Sequence, residues 1–218
     1  MVASGREGRP AKLTRDTICR AAQEVLAASG AADFSMRALG EKLGVDPTAV
    51  YRHFADKDEL MREVGDRALA PATRDFTTTD DPRADARRMC IGLRGALLKN
   101  QVGLTITSRG PTRQRNELRI TEILLDAFLR AGIEPRRSAL GYHALIEYSV
   151  GSAALDAPLS RSAQVRRDTY KRWKDDYRSL PADEFPAIHA FVDDLYPSSD
   201  EVFEVGLDAL LSQLMRPQ

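Results

Sequence analysis

Apolar residues recur at helical spacing along most of the chain. Between Leu13 and Ser29, Ile18, Ala21, Ala22, Val25 and Leu26 fall on one face, with Thr14 placed as an N-cap and Gly30 as the stop. In "FSMRALGEKLGV", Ser35 is placed to cap a second helix that turns Met36, Leu39 and Leu43 inward and ends at Gly44. "DPTAVYRHF" opens a third helix of about two turns, with Asp46 as cap and Pro47 at the first helical position, where a missing N–H costs nothing. Its inward pair is Val50 and Phe54. Asp56 caps a fourth helix from Lys57 to about Leu69. Beyond the break at "TTTDDPRAD", Ala86, Met89, Cys90, Leu93 and Leu97 form a further stripe, and "VGLTITS" is a short piece before the turn Arg109-Gly110-Pro111. Ile120, Ile123, Leu124, Ala127 and Phe128 form the next stripe, up to Gly132, and a helix from Pro135 runs through Leu155. A basic segment with Tyr170, Trp173 and Tyr177 follows, then the shorter "DEFPAIHAFVDDL". Ser198 and Glu201 have capping-box spacing at the start of a last helix that runs to about Met215. Nothing alternates with the period of a strand, so the predicted fold class is all-α.

Size and charge narrow the picture. With 218 residues, 43% hydrophobic and 29% charged, the chain has the makeup of an ordinary globular protein of one or two helical units. The formal charge is zero, so any affinity for nucleic acid must be local. Through residue 57, nine basic side chains face seven acidic ones, a small excess whose placement matters more than its size. Cys19 and Cys90 each sit in an apolar helical pattern and read as buried thiols of a reducing compartment. No apolar run reaches the ~20 residues of a membrane span, and no signal-peptide core is present, which points to the cytoplasm. The expected organisation is a basic arm over residues 1–12 carrying Arg6, Arg9 and Lys12, then a helix-turn-helix domain over 13–56 and a connecting helix over 57–70. A larger domain over 71–218 completes it.

Two short helices joined by Gly44-Val45-Asp46 have the proportions of a helix-turn-helix, whose second helix enters the DNA major groove with its N-terminal residues toward the base edges. Those residues are Thr48, which hydrogen-bonds either base type, and Ala49, small enough to approach a thymine methyl. Tyr51, Arg52 and His53 flank that edge, within reach of phosphates, and Lys57 adds a further cation. A capped two-helix corner in any α-domain fits the same pattern.

The string "FSMRALGEKLGVDPTAVYRHFADKDEL", with its glycine, its Tyr-x-His-Phe ending and its Lys-x-Glu-Leu continuation, resembles the N-terminal domain of the tetracycline-repressor (TetR/AcrR) family of bacterial transcriptional regulators. The resemblance spans about Leu13 to Leu69. It implies base contacts by Arg37 and Thr48 and phosphate contacts by Ser35, Tyr51, His53 and Lys57, with Arg52 on a face that touches either. It also implies a homodimer on a palindromic double-stranded DNA operator, paired through two C-terminal helices from each subunit. Small residues in "GYHALIEYSVGSAAL" and the broad apolar arc of the last helix suit such pairing; two internal core helices would carry the same residues.

The C-terminal block resembles the tetracycline-repressor branch in its order of landmarks but not in its drug-binding chemistry. The branch's metal-binding histidine falls near Thr107, and its polar and aromatic drug contacts fall near Met89 and Leu93. A small, mainly apolar effector is therefore expected, with no metal and no cofactor, in a cavity lined by Met89, Leu93, Thr107, Leu124, Phe128, His143 and Glu147 and roofed by Trp173. His143 and Glu147, one helical turn apart, read first as a partly exposed hydrogen-bonded pair or a contact at the dimer surface; a polar handle, an acid–base pair and a metal site are the alternatives. The sequence carries no nucleophile elbow, Cys–His framework or phosphate loop, so a hydrolase using His143 and Glu147 is a distant alternative to a regulator. An activator, or a regulator answering a protein partner, stays open.

Overall fold

A computed structural model describes residues 13–160 and 162–216, so the arm residues Arg6, Arg9 and Lys12 lie outside the described residues. The described residues form eleven helices and no strand. They divide into two compact units between Val64 and Gly65.

The first unit holds α1 (Arg15–Asp33), α2 (Met36–Leu43), α3 (Pro47–Tyr51) and the start of α4 (Lys57–Thr73). Thr14 caps α1 in a reciprocal capping box with Thr17. Gly30 breaks the regular helix, at φ 80° and ψ 168°, and a last helical stretch resumes to Asp33. Ile18, Ala22 and Leu26 of α1 and Leu39, Val50, Phe54 and Leu60 are all nearly or wholly buried, and α2 packs against both α1 and α3. Arg15 ties this unit together. Its guanidinium lies over the Phe54 ring, pairs with Glu59 and Glu63, and donates to the His53 carbonyl at 2.6 Å.

Two expected lengths change. The third helix has five residues, shorter than the expected two turns, because the chain turns after Tyr51. The fourth continues past Leu69 and over Pro71 to Thr73; a proline so near the end removes one amide bond without stopping the last turn.

In the second unit α5 (Pro82–Lys99) is central and packs against α7 (Arg115–Arg130), α8 (Pro135–Ser160) and α11 (Ser199–Leu214), with α6 (Gln101–Thr107) beside α8. α9 (Ala163–Arg178) and α10 (Pro186–Phe191) form a smaller layer. The core runs through Met89, Cys90, Leu97, Ile120, Leu124, Phe128, Leu145, Leu207 and Leu211. α8 extends beyond Leu155 to Ser160, and its Gly141 leaves room for the Phe128 ring, which a Cβ there would meet at 2.5 Å. The expected capping box at Ser198 does not form: Ser198 is the N-cap of α11 but makes no side-chain cap bond. Cys19 and Cys90 are buried and form no disulfide, and burial pushes the Cys90 thiol up to about 12.

Candidate nucleic-acid interface and ligand cavity

The turn between α2 and α3 is set by local chemistry. Gly44 takes the left-handed conformation (φ 66°) that ends α2, and its N–H bonds back to the Glu41 carbonyl. Gly40 is buried where the chain folds back; a Cβ there would meet the Val45 carbonyl oxygen at 2.9 Å. Asp46 then caps α3, accepting from the Thr48 amide at 2.8 Å and the Thr48 hydroxyl at 2.6 Å. Those bonds hold its carboxyl below the usual carboxylate range, the hydroxyl contributing most.

With Val50 and Phe54 buried, the other face of this segment is left outward. Thr48, Tyr51 and Arg52 are exposed, and Ala49 and His53 are half-buried. Ser35 is exposed and caps α2 by accepting from the Ala38 amide. Arg37 is exposed and paired with Glu41 at 3.0 Å, a surface pair weak enough to exchange for another anion. Lys57 is more committed: its ammonium donates to the Phe34 carbonyl at 2.6 Å and lies 5.3 Å from the Phe34 ring centroid. It closes the end of α1 as much as it faces outward.

The second unit contains a cavity of about 520 Å³. Leu69, Leu93, Leu97, Ile120, Ile146 and Val150 form its apolar wall. Polar groups from α6, α7 and α8 also line it. The Thr121 hydroxyl meets Tyr142 Oη at 2.9 Å and the Glu117 carboxylate at 3.1 Å, while the Arg113 amide donates to the other Glu117 oxygen at 2.9 Å. Thr107 lines the cavity with its hydroxyl proton given to the Gly103 carbonyl. His143 and Glu147 are exposed and stand at the lining; the His143 ring meets Tyr142 edge-on at 5.1 Å, and no hydrogen bond joins it to Glu147 among the described residues.

Of the expected lining, Leu93, Thr107, His143 and Glu147 come together here. Met89, Leu124 and Phe128 do not: all three are fully buried in the core, on the inward side of the same helices. Trp173 is also elsewhere, its ring tilted against those of Tyr170 and Tyr196 at 5.8 and 5.1 Å between centroids. Thr121, Tyr142, Ile146 and Val150 were missed. On α8 a signal existed, since Tyr142, Ile146 and Val150 repeat every fourth residue beside His143 and Glu147.

Comparison with known proteins decides what joins these two features. Residues 18–64 match the model of bacterial regulatory proteins of the tetR family, and residues 77–216 match that of the tetracyclin repressor-like C-terminal domain. The chain belongs to the tetR family. It is a transcriptional regulator with a DNA-binding and a ligand-binding domain. A tetracycline repressor protein class G of Vibrio anguillarum is 28% identical over 212 residues, 94% of this chain and 95% of that one. An HTH-type transcriptional regulator of Saccharopolyspora erythraea is 26% identical over 145 residues; the match covers 66% of this chain and 61% of that relative. Among solved structures, apo ActR of Streptomyces coelicolor matches with a TM-score of 0.77 at 25% identity, covering 94% of this chain and 96% of that one. ActR with actinorhodin matches in fold, with a TM-score of 0.80 at 24% identity, over 94% of this chain and 98% of that one. No helix among the described residues of this TetR-family regulator is long and apolar enough to cross a membrane.

Proposed function

We infer that this regulator is a homodimeric repressor, cytoplasmic and held at the nucleoid while bound to a palindromic double-stranded operator, and that a small, mainly apolar effector releases it. The observation that carries the reading is the outward edge of α3, with Thr48, Tyr51 and Arg52 exposed over a rear sealed by Val50 and Phe54. In this reading Arg37, Thr48 and Ala49 face base edges, and Ser35, Tyr51, His53 and Lys57 hold phosphates, with Arg52 beside them. Pairing of subunits is supported by Leu155 of α8 and Val202 and Val205 of α11, which are 84%, 53% and 67% exposed in the single chain. Apolar side chains so open are what a partner subunit would cover.

The effector enters the cavity of the second unit, whose mainly apolar surface, with polar side chains from α6, α7 and α8 at its lining, suits an apolar body with hydrogen-bonding positions. Release does not require tight binding. A hundredfold loss of operator affinity needs about 2.7 kcal/mol of differential binding between the two states. A mobility-shift assay on the gene's own upstream region tests the reading. Retarded complexes on a palindromic segment, outcompeted by that segment and not by random DNA, are expected at moderate salt. Equal affinity for both sequences would overturn it.

A further inference from the structure

α7 begins with an unusual cap. Its N-cap residue Gln114 makes no side-chain cap bond, so the first-turn amides need an acceptor from elsewhere. That acceptor is Asp66 of α4, which is 5% exposed. One of its carboxylate oxygens accepts from the Glu117 amide at 2.9 Å and the Thr112 hydroxyl at 3.3 Å. The other accepts from the Asn116 amide at 3.1 Å and the Asn116 side-chain amide at 2.8 Å. Asn116 closes the junction by donating to the Asp66 carbonyl and accepting from the Thr73 hydroxyl at 2.9 Å. A buried carboxylate at a helix N-terminus satisfies orphan amides and the positive end of the helix dipole together, so this junction moves as one body.

The far side of the same segment is cavity wall. Pro111, Thr112, Arg113 and Glu117 all line the effector space. Arg113 holds a left-handed conformation (φ 56°), unfavourable for a residue with a side chain, and its amide is bonded to the Glu117 carboxylate. An occupant that competes for that carboxylate, or presses on Pro111 or Thr112, removes what keeps the turn in place. The turn cannot shift without the start of α7, and Asp66 fastens that start to α4, the helix that also includes Lys57–Val64.

We propose that Asp66 is the positioning residue through which occupancy of the cavity reaches α4, acting as a cap for α7 supplied by another helix. The proposal rests on the reading of the cavity as the effector site. A defined occupant tests both: His143→Cys places a thiol at the cavity lining, and N-(1-pyrenyl)maleimide attached there puts an apolar aromatic group into it. Operator affinity is measured by fluorescence anisotropy with and without the label, in the Asp66 protein and in Asp66→Asn. In the Asp66 protein the label should weaken operator binding at least tenfold; in Asp66→Asn, less than threefold. The same weakening in both backgrounds would overturn the assignment to Asp66 while leaving the effector site standing. No weakening in either would remove both. Hydrogen exchange on labelled and unlabelled His143→Cys needs no change at Asp66 and covers the case where Asp66→Asn does not fold. Amides of Asn116 and Glu117 should lose protection together with those of residues 65–73, and loosening of α4 with those two amides still protected would refute the link.

Discussion

Thr48 offers a groove only part of its hydroxyl chemistry. Its proton goes to Asp46, which leaves the hydroxyl oxygen of this exposed residue as an acceptor; in the proposed docking the base groups that satisfy it are donors such as adenine N6 or cytosine N4. Thr48→Val keeps the shape and a methyl but removes that oxygen. It should cost about 1–3 kcal/mol on the operator and almost nothing on random duplex; equal losses on both would make Thr48 a backbone contact. Asp85 shows the same logic inside the second unit. Burial alone would raise its pKa, but the Thr79 amide, Arg88 and Arg130 hold the fully buried carboxyl well below the usual carboxylate range. With the native pKa depressed, its contribution is complete above the unfolded value of about 4, and fades as pH falls from there toward the lower native value. Asp85→Asn should therefore lose about 3 kcal/mol at pH 7, with a shallower dependence of stability on pH below about 4. Denaturant melts of the two proteins at pH 7 and pH 3 check both statements.

Elements were legible where a signal is local. Thr14, Ser35, Asp46 and Asp56 each stand a fixed distance before their helix, and each accepts the expected first-turn amide. The helix-turn-helix could be read for the same reason, since its caps and glycine lie within one short string. The cavity could not. Met89 and Leu93 are one turn apart on α5 and both belong to the core, yet only Leu93 also lines the cavity. Periodicity gives a helix an apolar side without dividing that side between packed and open space. The Asp66 cap was invisible as well, because its amides lie about fifty positions downstream on another helix. At this scale Gly40 carries a sharp expectation. The Val45 carbonyl, which a Cβ would strike, belongs to the backbone of the turn and cannot rotate away. Gly40→Ala should lower stability by about 1–3 kcal/mol, and lower operator affinity even where the protein is fully folded, because α3 is displaced from α2. Unchanged affinity of the folded variant would mean that the turn tolerates the shift.

At the scale of the molecule, zero formal charge leaves operator affinity to the number and placement of contacts. One head of this size reaches a few phosphates; two heads held by a dimer reach something like 6–10, and log K then falls with log salt at a slope of about −5 to −9. In the proposed homodimer, pairing would thus supply most of the affinity, and the surface that supplies it should be separable from the surface proposed to read DNA. Leu155 and Val205 allow the separation: both project from the second unit into solvent, so Leu155→Glu with Val205→Glu leaves the core of that unit intact. Sedimentation should then show a monomer with unchanged helix content. Its operator affinity should drop more than a hundredfold, and the salt slope should fall by about half, since one head's phosphates are lost. A double variant that remains dimeric would place the pairing surface elsewhere. A monomer that keeps the parent's slope would mean that a single head makes all the phosphate contacts, and the palindromic operator would lose its physical basis.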